Sequence, residues 1–328
     1  MKRKYMIIVL MAGALELTGC SQGTSNSAKN GTTGSENTII SESDIAILDT
    51  EDMFTERDRD TEYDESECTA ISLSDEETKC DSDGVKMDGQ TVTITEGGTY
   101  LLTGSLSNGS VVVDTDKTEK VQLILENVSI INEEGAGICV EQADKVFITL
   151  ADGSTNKIVS NSFTGNEDTN IDGAIFSRED LTLNGSGTLK ITSAAHGIVS
   201  KDDLVLTGGV YQIQSEKQGL SGKESVRIAD GTFTITSGTD AIHSEDTDED
   251  TKGFVYITGG VLTLAAGGDG ISSSYVVQAD GGSFDISTSS TETDTSTKGI
   301  KAQKYVILKD GTYQLATADD GIHCNGNV

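Results

Sequence analysis

From Ala174 onward, short alternating runs of apolar and polar residues are separated by glycines and charged corners. Each segment opens on Gly-Ile or a close variant, at Ala174-Ile175, Gly197-Ile198, Gly219-Leu220, Ala241-Ile242, Gly270-Ile271, Gly299-Ile300 and Gly321-Ile322. The start-to-start spacings are 23, 22, 22, 29, 29 and 22 residues. A fixed period of this size marks a stacked repeat, in which each unit buries its apolar face only against its neighbours. Within one repeat the runs Ile198-Val199-Ser200, Leu204-Val205-Leu206 and Val210 to Gln214 alternate with period 2. That pattern predicts three short strands per repeat and no sustained helix. One repeat of about 22 residues then forms one coil of a parallel β-helix, with rungs stacked roughly 4.8 Å apart.

Offsets along the repeat become columns on the solid. The first position after each start is Ile175, Ile198, Leu220, Ile242, Ile271, Ile300 and Ile322, a predicted buried stack. The third is small throughout, from Ser177 and Ser200 to Ala302 and Cys324. Tyr211, Phe233, Phe284 and Tyr313 share one offset and read as a structural aromatic stack. The two longer repeats carry seven extra residues each, one around Asp246 to Asp250 and one around Ser289 to Thr295. Such inserts form corner loops, often on the working face.

The front of the chain is different. Lys2, Arg3 and Lys4 precede an apolar run from Tyr5 to Met11, and Leu17-Thr18-Gly19-Cys20 closes it. Residues 1–20 therefore read as a lipoprotein signal peptide, with Cys20 as the lipidated first residue of the mature protein. The expected location is extracellular, anchored to the cell membrane through lipid alone. Residues 21–66, rich in Ser, Thr, Asn and Gly and then in acids, read as a flexible acidic linker. One folded domain is expected over 67–328, and because the chain stops at Val328, eight residues into a repeat, a truncated last rung is expected.

Charge narrows the partners. With 54 acidic and 23 basic residues the formal charge is −31, which argues against nucleic acid and anionic membranes and favours cations. Cys68 and Cys80 leave a local disulfide open in an exported protein, whereas Cys139 and Cys324 read as buried thiols. There is no C-x-x-C, and His196, His243 and His323 are better explained as surface residues than as ligands. No G-x-S-x-G or other nucleophile motif stands out, and there is no Trp to form a sugar platform.

The column preceding each repeat start carries Asp240, Asp269, Lys298 and Asp320, with Asp319 beside the last. Stacked carboxylates on adjacent rungs repel unless a cation lies between them, so Ca²⁺ is expected at Asp240, Asp269, Asp319 and Asp320. Glu245, Asp246, Asp248 and Asp250 of the acidic insert would complete its shell; the alternative is that Asp before Gly simply favours a turn. A second column set, Arg178-Glu179-Asp180, Lys201-Asp202-Asp203 and Lys223-Glu224-Ser225, reads as a surface charge ladder or as a grip for a polyuronate. Lys201, Lys223, Lys298, Tyr275 and Tyr305 are the expected polysaccharide-binding residues.

Gly-Ile-x-Ser-Lys-Asp-Asp-Leu at 197–204, Gly-Lys-Glu-Ser-Val at 222–226, Lys-Gly-Phe-Val-Tyr-Ile-Thr-Gly-Gly at 252–260 and Gly-Gly-Asp-Gly-Ile at 267–271 resemble a family of exported clostridial β-helix proteins. That family is known as cellulose- and polygalacturonate-binding, carbohydrate-binding domain-containing proteins. The resemblance spans residues 67–328. It implies a right-handed parallel β-helix like that of pectate lyases, bound calcium and polysaccharide binding, without lyase activity in general. Asp-Asp-Gly-Ile is intact only at 319–322. The expected function is thus a non-catalytic, calcium-dependent, cell-surface binder of cellulose or polygalacturonate. The alternatives are a calcium-dependent lyase using Lys298 and a surface scaffold or adhesin.

Overall fold

The computed structural model describes residues 6–8, 48–164, 170–289 and 296–326. Most of the expected signal peptide, Cys20 and the linker up to residue 47 lie outside these. Met6–Ile8 forms a short antiparallel strand against Thr312–Ala316.

The repeats fold as expected into a parallel β-helix of about nine turns. One rung shows how. His196–Ser200 lies on a first face, Asp203–Leu206 on a second and Val210–Ser215 on a third, after which the chain re-enters the first face one rung higher. The predicted stack is continuous: Ile175 pairs with Ile198, then Leu220, Ile242, Ile271, Ile300 and Ile322 in turn. Ile175 through Ile300 are at most 1% exposed. The stack also reaches below the predicted first repeat, through Ile138 to Val111.

The other two faces fill the core by the same alternation. Leu204 and Leu206 point inward on the second face, and Tyr211, Ile213 and Ser215 on the third. Tyr211 stacks on Phe233 with ring centroids 4.8 Å apart, and Phe284 on Tyr313 at 4.7 Å, confirming the aromatic column. Leu262 takes the place between them. The turn into the third face needs a left-handed residue, and Gly209, Gly231, Gly260, Gly282 and Gly311 supply it with φ from 94° to 132°. At the N-terminal end an antiparallel hairpin, Val85–Asp88 with Thr91–Ile94, covers the edge of the first face.

Residues 48–66 depart from the expected flexible linker. They lie along the outside of the second face, running from the high rungs back toward the low ones. A short helix, Glu56–Arg59, is closed by a capping box between Thr55 and Asp58. Arg227 Nη1 donates to the Met53 carbonyl at 3.1 Å, and Phe54 stacks on Tyr256. Arg57 lies over Phe147 and donates to Gln122 Oε1 at 2.8 Å. Asp58 is 2% exposed and accepts from Lys145 Nζ at 2.8 Å and Thr182 Oγ1 at 2.7 Å. An acidic segment that cannot fold alone is therefore held by cations and hydroxyls that the rungs present. This strap is why Phe147, Thr182 and Tyr256, outward residues of the second face, are buried. Cys68 and Cys80 are separate thiols rather than a disulfide.

Candidate functional site

With the second face covered, the outer first face and its corner with the second carry the concentration of charged chemistry. The first-face strand ends at Ser200 and the second-face strand begins at Asp203, so Lys201-Asp202 turns the corner. The rung above repeats the turn with Lys223-Glu224. A cavity of about 300 Å³ opens here, lined by Val199, Lys201, Gln218, Ser221, Lys223 and His243 among others. Two of the expected polysaccharide-binding residues, Lys201 and Lys223, thus flank one groove. Below it, Phe176 and Val199 form an outward apolar cluster with Ala136 and Cys139, and Lys201 Nζ lies 5.4 Å from the Phe176 ring centre.

Beside the lysines stands a carboxylate trio. Among the described residues, Asp180, Asp202 and Asp203 bring one oxygen each within 4.8 Å of one another. Two ionised carboxylates at that separation repel by about 3 kcal/mol at an effective dielectric of about 20. Burial, with Asp180, Glu224 and Asp203 close by, pushes the Asp202 carboxyl up to about 7. Burial and Asp203 likewise raise Asp180. Asp203 is also bound by Arg227 and accepts from Ser225 Oγ at 2.5 Å. Three hard oxygen donors in one place suit Ca²⁺, which takes its remaining ligands from water or a bound anion. The charge-ladder columns contained these residues; only the stacking of rungs reveals that the acids converge.

The expected calcium column is engaged differently. Asp240 and Asp269 do sit on adjacent rungs, before the paired Ile242 and Ile271. Yet Asp240 Oδ1 accepts from the backbone N–H of Asp269 at 2.7 Å, and Asp269 Oδ1 accepts from that of Lys298 at 2.8 Å. Each carboxylate ties its rung to the next. Asp269, 1% exposed, also meets Lys301 Nζ at 3.0 Å. Asp240 Oδ2 lies 2.9 Å from His243 Nδ1, and Asp320 repeats the contact with His323 at 3.2 Å. Burial opposes protonation of His243, but Asp240 and Glu245 outweigh it and raise its pKa. Asp319 is held by Lys298 Nζ at 2.6 Å.

The acidic insert makes its own contacts. Asp246 Oδ1 caps the backbone N–H of Asp248 and Glu249, at 2.7 and 3.0 Å. Asp248 pairs with Lys223 at 2.9 Å, and Glu245 lies 3.5 Å from His243 Nε2. Asp250 lines a second cavity, of about 440 Å³, with Lys252, Ser274 and Lys304. Among the described residues, no three of the eight expected metal ligands converge within 4.8 Å. Tyr275 and Tyr305 are half-buried near the upper end of the same corner and do not line the smaller groove.

These features define a solenoid with a charged lateral groove, a class suited to holding an extended polymer alongside its rungs. Residues 88–328 match the family of carbohydrate-binding domain-containing proteins, and the chain belongs to that family. It is similar to a carbohydrate-binding domain-containing protein of Acetivibrio thermocellus, 34% identical over 137 residues. The match covers 40% of this chain and 48% of that protein, so the chain spans about half the length of this curated relative. Its fold is similar to that of the polysaccharide lyase-like protein from C. thermocellum, solved as a gadolinium derivative. The TM-score is 0.64 at 30% identity, over 79% of this chain and 95% of that one.

Proposed function

We propose that the protein is a non-catalytic binder of an acidic polysaccharide, gripped at the corner between the first and second faces. Ca²⁺ held by Asp180, Asp202 and Asp203 bridges to the uronate carboxylates, and Lys201 and Lys223 neutralise others along the groove. The observation that carries this reading is the placing of a lysine-flanked groove and a carboxylate trio on one corner. A bridging cation is what lets a chain of charge −31 hold a polyanion. The gadolinium derivative of the related structure supports it, since gadolinium, like calcium, seeks hard oxygen ligands. Lys298, the candidate base of a lyase, is tied to Asp319, which favours a binder over an enzyme. The Leu17-Thr18-Gly19-Cys20 motif supports export and a lipid anchor, so the polymer would be held at the cell surface.

The test is a pull-down on immobilised polygalacturonate with and without chelator. Retention that falls with chelator and with Lys201→Ala and Lys223→Ala is expected. Equal retention in all conditions would refute the bridging role, and steady release of unsaturated uronides would make the protein a lyase instead.

A further inference from the structure

The strap and the carboxylate trio share their cations. Asp180 and Asp203 open consecutive strands of the second face, and Lys145 stands directly opposite Asp180 one rung below, in parallel register. Lys145 is therefore well placed to pair with Asp180, yet its Nζ lies 2.8 Å from Asp58 Oδ1 of the strap. Asp180 instead accepts from the backbone N–H of Asp203 at 3.3 Å. Thr182, two residues beyond Asp180 on the same strand, donates to Asp58 Oδ1 at 2.7 Å, so the strap is seated on a strand that presents one of the trio. Arg227 is divided in the same way. Its Nη2 binds Asp203, its Nη1 donates to the Met53 carbonyl at 3.1 Å, and its Nε is buried without a partner among the described residues.

Loss of the strap would leave both cations short of a partner. An ion left unpaired in a partly covered place is costly, so Lys145 would turn to the carboxylate opposite it, Asp180. Arg227 would lose its carbonyl acceptor and close on Asp203 with a second nitrogen, since the guanidinium fork suits two-point pairing. Both moves draw charge from the trio. We infer that the strap sets the cation affinity of the corner: docked, it engages Lys145 and Arg227 and leaves Asp180, Asp202 and Asp203 to a divalent cation; released, it gives both side chains back to the trio. Asp58 is then a positioning residue, which acts through Lys145 and touches no ligand. Charge fixes the sign, because a divalent ion at the trio repels Lys145 and Arg227 toward the Asp58 carboxylate and the Met53 carbonyl. The coupling is reciprocal: the factor by which docking raises cation affinity is the factor by which the cation raises docking. The inference rests on the calcium reading of the corner, and adds that a segment more than a hundred residues away in sequence governs that site.

The test is calorimetric titration of the full chain with calcium chloride, beside hydrogen exchange of residues 50–60. Asp58→Asn keeps the side chain's shape, removes its charge, and frees Lys145 for Asp180 whether or not the strap stays docked. It should weaken calcium binding about tenfold, within the usual range of coupling between sites. Adding Lys145→Met removes the competing cation and should restore most of the lost affinity. In wild type, saturating calcium should slow exchange of the strap by a similar factor, and Asp202→Asn should remove that slowing. If Asp202→Asn weakens calcium binding but Asp58→Asn does not, or if strap exchange ignores calcium, the coupling is overturned and the corner site stands. No calcium binding by wild type, or undiminished binding by Asp202→Asn, defeats the corner reading and the coupling with it.

Discussion

Replacing Asp58 with alanine should release the strap while leaving the solenoid folded. Its carboxylate accepts four contacts: Lys145 Nζ at 2.8 Å, Thr182 Oγ1 at 2.7 Å, and Thr55 N and Oγ1 at 3.0 and 2.8 Å. Burial alone would raise its pKa, but Lys145, Thr182 and Thr55 overcome that and lower it from 3.8 to about 2. At 1.36 kcal/mol per unit, that shift corresponds to about 2 kcal/mol. The Thr55 contacts are already part of that shift, and the N-cap bond from the Asp58 N–H to Thr55 Oγ1 survives the change. The total, about 2 kcal/mol, is below the usual range for breaking a buried ion pair, in keeping with a lysine that can still reach water. Opening of the strap should therefore become about 30-fold more frequent. Hydrogen exchange over residues 50–60 and tryptic cleavage after Arg57 and Arg59 read that opening directly. Because the folded pKa is depressed, the contribution is complete above pH 3.8 and is lost as pH falls through about 2. The deficit of the variant should shrink over the same range. Adding Lys145→Ala should cost less than the separate losses combined, since no unpaired cation remains. Equal protection of the strap in wild type and Asp58→Ala, or strictly additive losses, would refute the assignment.

Other outcomes follow from the core and the corner. Phe233→Ala removes a fully buried ring stacked on Tyr211 and should cost about 3–5 kcal/mol in denaturant unfolding. Lys201→Ala and Lys223→Ala should each weaken polygalacturonate binding roughly tenfold by affinity electrophoresis. In the calcium-free protein the raised Asp202 pKa makes the folded state hold its proton more tightly. Stability should then fall as pH rises from 3.8 toward about 7, calcium should reverse that slope, and Asp202→Asn should reduce both effects in thermal melts, leaving the part that Asp180 contributes. Cys20→Ser should release the protein from membranes or leave its signal uncleaved, as read by fractionation.

The rungs from Ala174 onward were legible because one apolar position recurs at a near-fixed interval. The lower rungs were not, although Gly137-Ile138 carries the same signal, because a long connection between Ser160 and Gly173 breaks the interval. Asp240 and Asp269 were correctly placed on neighbouring rungs, but what satisfies them is the backbone N–H one rung on, which no residue type advertises. Asp180, Asp202 and Asp203 stood in the sequence as a modest charge ladder; their convergence depends on how the corner folds. The strap was hidden by its own composition. Its acids suggested disorder, and the partners that hold it, Lys145 for the Asp58 carboxylate and Arg227 for the Met53 carbonyl, lie far along the chain. Thr55-x-x-Asp58 was the one local clue, a capping pair spaced to start a helix.

The direction of the strap decides how the molecule carries mechanical load. A pull on the chain ahead of residue 48 reaches the strap first, beside Tyr256, at its end near the upper rungs. Its contacts then meet the force in series: first Met53 on Arg227 and Phe54 on Tyr256, then Arg57 on Gln122, then Asp58 on Lys145. Peeling breaks a few bonds at a time, whereas tearing a rung from the solenoid shears a whole ladder of them. The roughly twenty residues so freed would pay out about 70 Å of chain before tension reaches the first rung. The strap is thus a built-in extensible leash, which lengthens under drag and re-docks when the drag ceases.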